Sequence, residues 1–210
     1  MKIHALSYAV LTAAALALAP NLVAQDKPAT KVGDKKPATA MPTEEEMMKK
    51  WEESATPGPA HKLLDQFIGE WNVASKWWMD PAAPPMESKG TSSARWILGG
   101  RFIQDDFNGE FMGKPLKGLG LTGYDNFKKK YNSFWADEGG TAMFTSTGTA
   151  SADGKTFTFT GPMDDPMTGE KDKNIKFVIK MESKDRHVFE MFDVVDGKDK
   201  RMAEMIYTRK

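Results

Sequence analysis

Few side chains in this sequence can do chemistry. There is no cysteine, and the histidines are His4, His61 and His187. Two imidazoles as far apart as His61 and His187 give no metal-ligand spacing. No Gly-x-Ser-x-Gly nucleophile elbow is present, so a hydrolytic triad would need three remote parts of the chain. Asp164-Asp165-Pro166-Met167-Thr168-Gly169 is acidic but lacks the order of a calcium loop, and its Pro and Gly make it a turn. Met163/Met167 and Met202/Met205 offer soft sulfur. Methionine more often fills irregular core space, and strand alternation sends Met202 and Met205 to opposite faces.

The remaining polar candidates are carboxylates and arginines. Asp105-Asp106 with Glu110, and Asp137-Glu138, lie in strand-like segments. Adjacent strand residues face opposite ways, so one of Asp105 and Asp106 faces inward and needs a partner. Arg95 and Arg101, on neighbouring strands, are the candidates for that partner. They are equally candidates to hold the anionic head of a ligand, because a guanidinium matches a carboxylate bidentately. Alternation allows Arg95 and Ile97 one face and Trp96 and Leu98 the other. If Trp96 and Leu98 face the core, Arg101 at the rim is the better anchor. Trp71, Trp96, Tyr124, Phe134 and Trp135 are candidate walls of an apolar binding cavity.

These residues are positioned by elements legible in the chain. Lys2 followed by the apolar run Ala9 to Ala19 has the length of a signal peptide, too short for a bilayer span of roughly 20 residues. Cleavage is predicted after Ala24, giving residues 1–24 as signal and an exported, periplasmic or secreted protein. No later segment is apolar enough to cross a membrane as a helix. Residues 25–58 form a Lys/Pro/Ala/Thr-rich linker. A short helix is predicted inside it, with Thr43 as N-cap and Glu46 at N3. Lys plus Arg and Asp plus Glu both number 29. That balance argues against nucleic acid as a partner.

Residues 59–210 read as one all-β domain. His61 to Ile68 forms a short helix with Leu64, Phe67 and Ile68 on one side. About ten strands follow, with no helices between them. Turn signals include Gly99-Gly100, Asn108-Gly109, Asp153-Gly154 and Asp196-Gly197. Asp153-Gly154 is expected as the centre of a tight hairpin turn. Closing the sheet removes its edges, so a closed or nearly closed antiparallel up-and-down barrel is predicted, with a β-sandwich as the alternative.

The same segments carry a family resemblance. His61-Lys62-Leu63-Leu64, Gly69-Glu70-Trp71, Leu98-Gly99-Gly100-Arg101-Phe102 and Gly118-Leu119-Gly120-Leu121-Thr122-Gly123-Tyr124-Asp125 open it. Trp135-Ala136-Asp137, Asp153-Gly154-Lys155, Asp165-Pro166-Met167-Thr168-Gly169 and Ile206-Tyr207-Thr208-Arg209 complete it. In that order they resemble the bacterial domain of unknown function 1579, over about His61 to Arg209. That family resembles the calycin barrels, which include lipocalins, fatty-acid-binding proteins and nitrobindin-like haem proteins. The resemblance implies a barrel and a cavity, and no reaction. It also raises haem as a minor reading, with His187 as axial ligand if its ring points inward; no Cys-x-x-Cys-His attachment motif exists.

The expected function is binding of a small hydrophobic or amphiphilic molecule, with no resident cofactor. The alternatives are a filled barrel serving as an interaction module of the cell envelope, and an enzyme of unknown reaction.

Overall fold

A computed structural model describes residues 41–210 except 81. The predicted signal segment and the first part of the linker lie outside the described residues. Helix α1 spans Glu44–Ala55, with Thr43 as N-cap and the reciprocal Thr43/Glu46 capping box predicted above. None of its residues is buried. Asn126, in the turn between the fourth and fifth strands, donates to the carbonyls of Glu53, Ser54 and Thr56, holding the helix by its C-terminal end.

Next comes α2, Pro59–Lys62, which runs into a 3-10 turn over Leu63–Phe67. The single helix expected there is thus split. The tighter 3-10 winding brings Leu64 and Phe67, three apart, onto one side, where both are buried.

Ten strands follow: β1 Gly69–Trp77, β2 Met86–Ile97, β3 Phe102–Phe111, β4 Lys114–Asp125 and β5 Lys130–Asp137, then β6 Phe144–Ala150, β7 Thr156–Asp165, β8 Glu170–Ser183, β9 Arg186–Val195 and β10 Lys198–Arg209. Each pairs antiparallel with the next, and β1 pairs with β10. The barrel is closed, which removes the exposed edges of an open sheet.

The turns differ from expectation in two places. Asn108-Gly109 is not a turn but part of β3, which continues to Met112-Gly113. Nor is Asp153-Gly154 the centre of a two-residue turn. Gly154 N–H donates to Ser151 O, so Ala152 and Asp153 are the central residues and Gly154 alone is left-handed, with φ +69. Asp196 and Gly197, with φ 52 and 72, do form the expected mirror-image hairpin turn.

Two apolar clusters pack inside the barrel. One gathers Leu64, Phe67, Ile103, Tyr131, Phe157 and Phe159 beneath α2 and the 3-10 turn, so this helical segment plugs one end. The other gathers Ile175, Met191 and Ala203 with Trp77, Phe144 and Phe189. Phe177 touches both.

Candidate functional site

Between the clusters the lumen is lined by small and polar residues. On β2, Ser92 and Ala94 are buried while Arg95 is exposed. Ser92, Ala94 and Trp96 therefore face inward and Arg95 outward. Residues paired across strands share a face. Ala94 pairs with Asp105, Asp105 with Gly120, and Gly120 with Trp135. Asp105 and Trp135 thus enter the lumen, and Asp106 and Phe134 leave it.

Asp105 is the acid of this site. Ser92 Oγ–H donates to its Oδ1. Burial pushes its carboxyl up to about 6, against the pull of the Ser92 bond, and the charge of Asp106 adds to the rise. No Lys or Arg among the described residues forms an ion pair with it; Arg95 pairs with Asp106 on the outer face instead. That contact, with a bond from Gln104, holds Asp106 below the usual carboxylate range.

Trp135 lies flat against β4. A Cβ added to Gly118 would stand 2.2 Å from its Cζ2, and one on Gly120 would stand 3.4 Å from its Cε3. Only glycine leaves room for the indole at Gly118. The same Cβ on Gly120 would stand 3.4 Å from the Cβ of Asp105, so the Asp105 side chain and the indole flank one glycine. Phe107 meets Trp135 edge to face, with centroids 6.2 Å apart.

Tyr207 and His187 complete the wall. Their rings stack with centroids 4.3 Å apart at 14°. Burial first, then the charge of Asp105, raises the Tyr207 phenol well above its usual range. Tyr207 lies deep within the protein yet keeps accessible surface, as do the inward-facing Asp105, Ser133, Trp135 and Phe189. Two buried polar atoms, Ser146 Oγ and His187 Nδ1, have no hydrogen-bond partner.

The other predicted wall residues divide by position. Trp71 is buried at the plugged end, where Nε1–H donates to Phe67 O at 2.8 Å and Arg209 lies 4.1 Å over its ring. Trp96 is half-buried there and donates to Asp65 Oδ1 at 2.8 Å. Tyr124 meets His61 and Tyr131 edge to face, at 5.7 and 4.9 Å. Arg101 is exposed and folds back on its own turn, donating to Leu98 O at 3.2 Å. Neither arginine proposed as an anchor is brought into the lumen.

The sequence matches, over residues 56–209, a family described as a protein of unknown function, DUF1579. The chain belongs to this family. It is similar in fold to the crystal structure of Rv2717c from M. tuberculosis, with a TM-score of 0.55 and 15% identity over 74% of this chain and 99% of that one. At that identity the likeness speaks for the fold alone. No curated protein matches the sequence.

The DUF1579 barrel fits a haem poorly at His187. Its imidazole is enclosed by Tyr207, Trp71 and Phe67, with ring centroids at 4.3, 4.5 and 5.4 Å. The chain's own rings occupy the space a porphyrin would need. Burial, and then the charge of Arg209, push His187 down to about 3, so the ring is neutral. Among the described residues, no three His, Cys, Asp or Glu side chains gather as a metal site requires. Nor is any helix among the described residues long and apolar enough to cross a membrane.

Phe134 belongs to a second feature, a groove of about 550 Å³ on the outer face, shared with Phe102, Leu121, Thr145, Thr160 and Pro162. None of its lining residues is titratable.

Three residues with structural roles were not singled out by sequence reasoning. Tyr207 and Arg209 appeared only as parts of a family motif. Arg209 donates to the carbonyls of Ile68, Gln66 and Lys184, tying the last strand to the plug. Lys173, mostly buried near the unplugged end, meets Asp193 at 3.0 Å and Asp165 and Glu170 at 3.3 Å. These carboxylates raise its pKa. Their alternation along each strand was the available signal; their cross-strand partners were not.

Proposed function

We propose that this DUF1579 barrel binds a small, mostly apolar molecule in its lumen. One observation carries the reading: inward side chains deep in the protein keep accessible surface around a few converging polar groups. An apolar cavity with a small number of polar groups is the usual form of a ligand site. Trp135 lines that space, so its fluorescence reports occupancy. Titration of the purified domain with apolar probes should change Trp emission saturably, with one probe per chain by native mass spectrometry. Unsaturable or absent binding refutes the reading.

The outer groove favours a second reading, a surface contact for another protein, because Phe102 in it is 38% exposed. We also propose that the chain is exported, on the strength of Lys2 and the apolar run Ala9 to Ala19. N-terminal sequencing of the protein recovered from its native compartment should begin near Gln25; an intact Met1 in the cytoplasm refutes export.

A further inference from the structure

We infer that the lumen recognises an organic ammonium ion, through the carboxylate of Asp105 set beside the ring of Trp135. This rests on the lumen-binding reading above and adds the charge of the ligand.

The argument starts from unused capacity. A carboxylate accepts several hydrogen bonds, and Asp105 receives one from a side chain, that of Ser92. Each element packed around it lacks a cation to complete it. β2 contributes Ser92 and Ala94, β4 contributes Gly120, and β10 contributes the neutral phenol of Tyr207. The neighbouring Asp106 is an anion and faces outward. The cations at the two ends of the barrel are committed: Arg209 to three carbonyls and the Trp71 ring, Lys173 to three carboxylates.

What stands next to the open carboxylate is aromatic. The Trp135 indole packs over Gly118 and Gly120, with its Nε1–H donating to Asp137 Oδ2 at 2.7 Å. Phe107 borders it. Cations bind the faces of such rings, most strongly in a desolvated site. A buried carboxylate flanked by indole and phenyl rings is matched by a positive, weakly hydrated group on an apolar body. An anionic head would meet Asp105 at close range and be repelled.

The test compares three probes of one chain length: decylamine, decanol and decanoate, titrated below their aggregation limits and followed by Trp fluorescence and calorimetry. Decylamine should bind wild type at least tenfold tighter than decanoate. Asp105→Asn should lose at least tenfold for decylamine and little for decanol, while Asp106→Asn on the outer face changes neither. Wild type alone supplies a second check if the Asn variant folds poorly. Since Asp105 titrates at about 6, decylamine affinity should fall about tenfold from pH 7.5 to pH 5, and decanol affinity should not. Equal binding of decylamine and decanol, insensitive to Asp105 and to pH, overturns the ammonium inference and leaves lumen binding standing. Binding of none of the three overturns both.

Discussion

Asp105→Asn should stabilise the protein at neutral pH, and the gain should vanish in acid. An acid whose folded pKa exceeds its unfolded value holds its proton more tightly when folded. Folding is then favoured at low pH, and stability falls as pH rises through the interval between the two values. For Asp105 those values are 3.8 and about 6. The difference corresponds to roughly 3 kcal/mol of destabilisation above pH 6 that is absent below pH 4. Asparagine keeps the shape, and its carbonyl can accept the Ser92 bond, but it carries no charge to desolvate. The variant should therefore exceed wild type by up to about 3 kcal/mol at pH 7.5, or about 6–12 °C in Tm at this size. The measurement is urea unfolding of both proteins at pH 4, 5, 6 and 7.5, expressed as variant minus wild type so that other titrating groups cancel. A difference that does not change with pH would show that Asp105 is not desolvated, and would remove the basis for assigning it the site.

Four further outcomes follow from the same geometry. His187→Phe should lessen acid lability. The depressed pKa of His187 makes wild type lose stability as pH falls from about 6.5 towards 3, and an acid-unfolding midpoint identical in the two proteins contradicts this. Gly154→Val should cost on the order of 1–3 kcal/mol by thermal melting, because φ is +69 there and a Cβ would stand 2.9 Å from Leu63 Cδ2; an unchanged Tm means that the turn relaxes freely. Lys173→Met should cost roughly 3–5 kcal/mol in urea unfolding at pH 7.5, because it leaves three carboxylates without their shared cation; an unchanged midpoint would deny the cluster its role. Limited proteolysis should trim the chain to a stable core beginning near Pro59, since α1 buries no residue, and unfolding on truncation at that point would refute the boundary.

The architecture was legible because most strands obey simple alternation. Trp71, Val73 and Ser75 fall on one side of β1, and all three are buried. β2 was recognised only at its end, Arg95 to Leu98, of which Leu98 belongs to the turn. Its first part, Met86 to Ala94, carries Ser88, Gly90, Ser92 and Ala94 on the inner face, and such small residues give no apolar signal. Those same small residues form the inner face beside Asp105, so the feature that hid the strand also shapes the candidate site. Phe134 and Trp135 were both expected on the cavity wall, although neighbours on a strand cannot share a face; the pairing with Gly120 turns Trp135 inward. The expected Arg–Asp pair exists, but as Arg95 with Asp106 on the outside. Which of two adjacent carboxylates enters a barrel depends on register with the next strand, and register is a long-range property that a single segment does not encode.

The polar groups inside the barrel are unevenly satisfied along its length. At the plugged end, Arg209 is matched by the carbonyls of Ile68, Gln66 and Lys184. Near the opposite end, Lys173 is matched by Asp165, Glu170 and Asp193. Both are the well-partnered contacts expected of structural ions. Between them stand Asp105 with one hydroxyl donor, Ser146 Oγ with none, and the Tyr207 phenol, which feels the charge of Asp105. A barrel selected only for stability would place apolar side chains there, because an under-satisfied buried polar group costs about 1–3 kcal/mol. Local rules are typically broken where a protein functions. The middle of the lumen, and not its two ends, is therefore where the proposed ligand would supply what the chain leaves unmade.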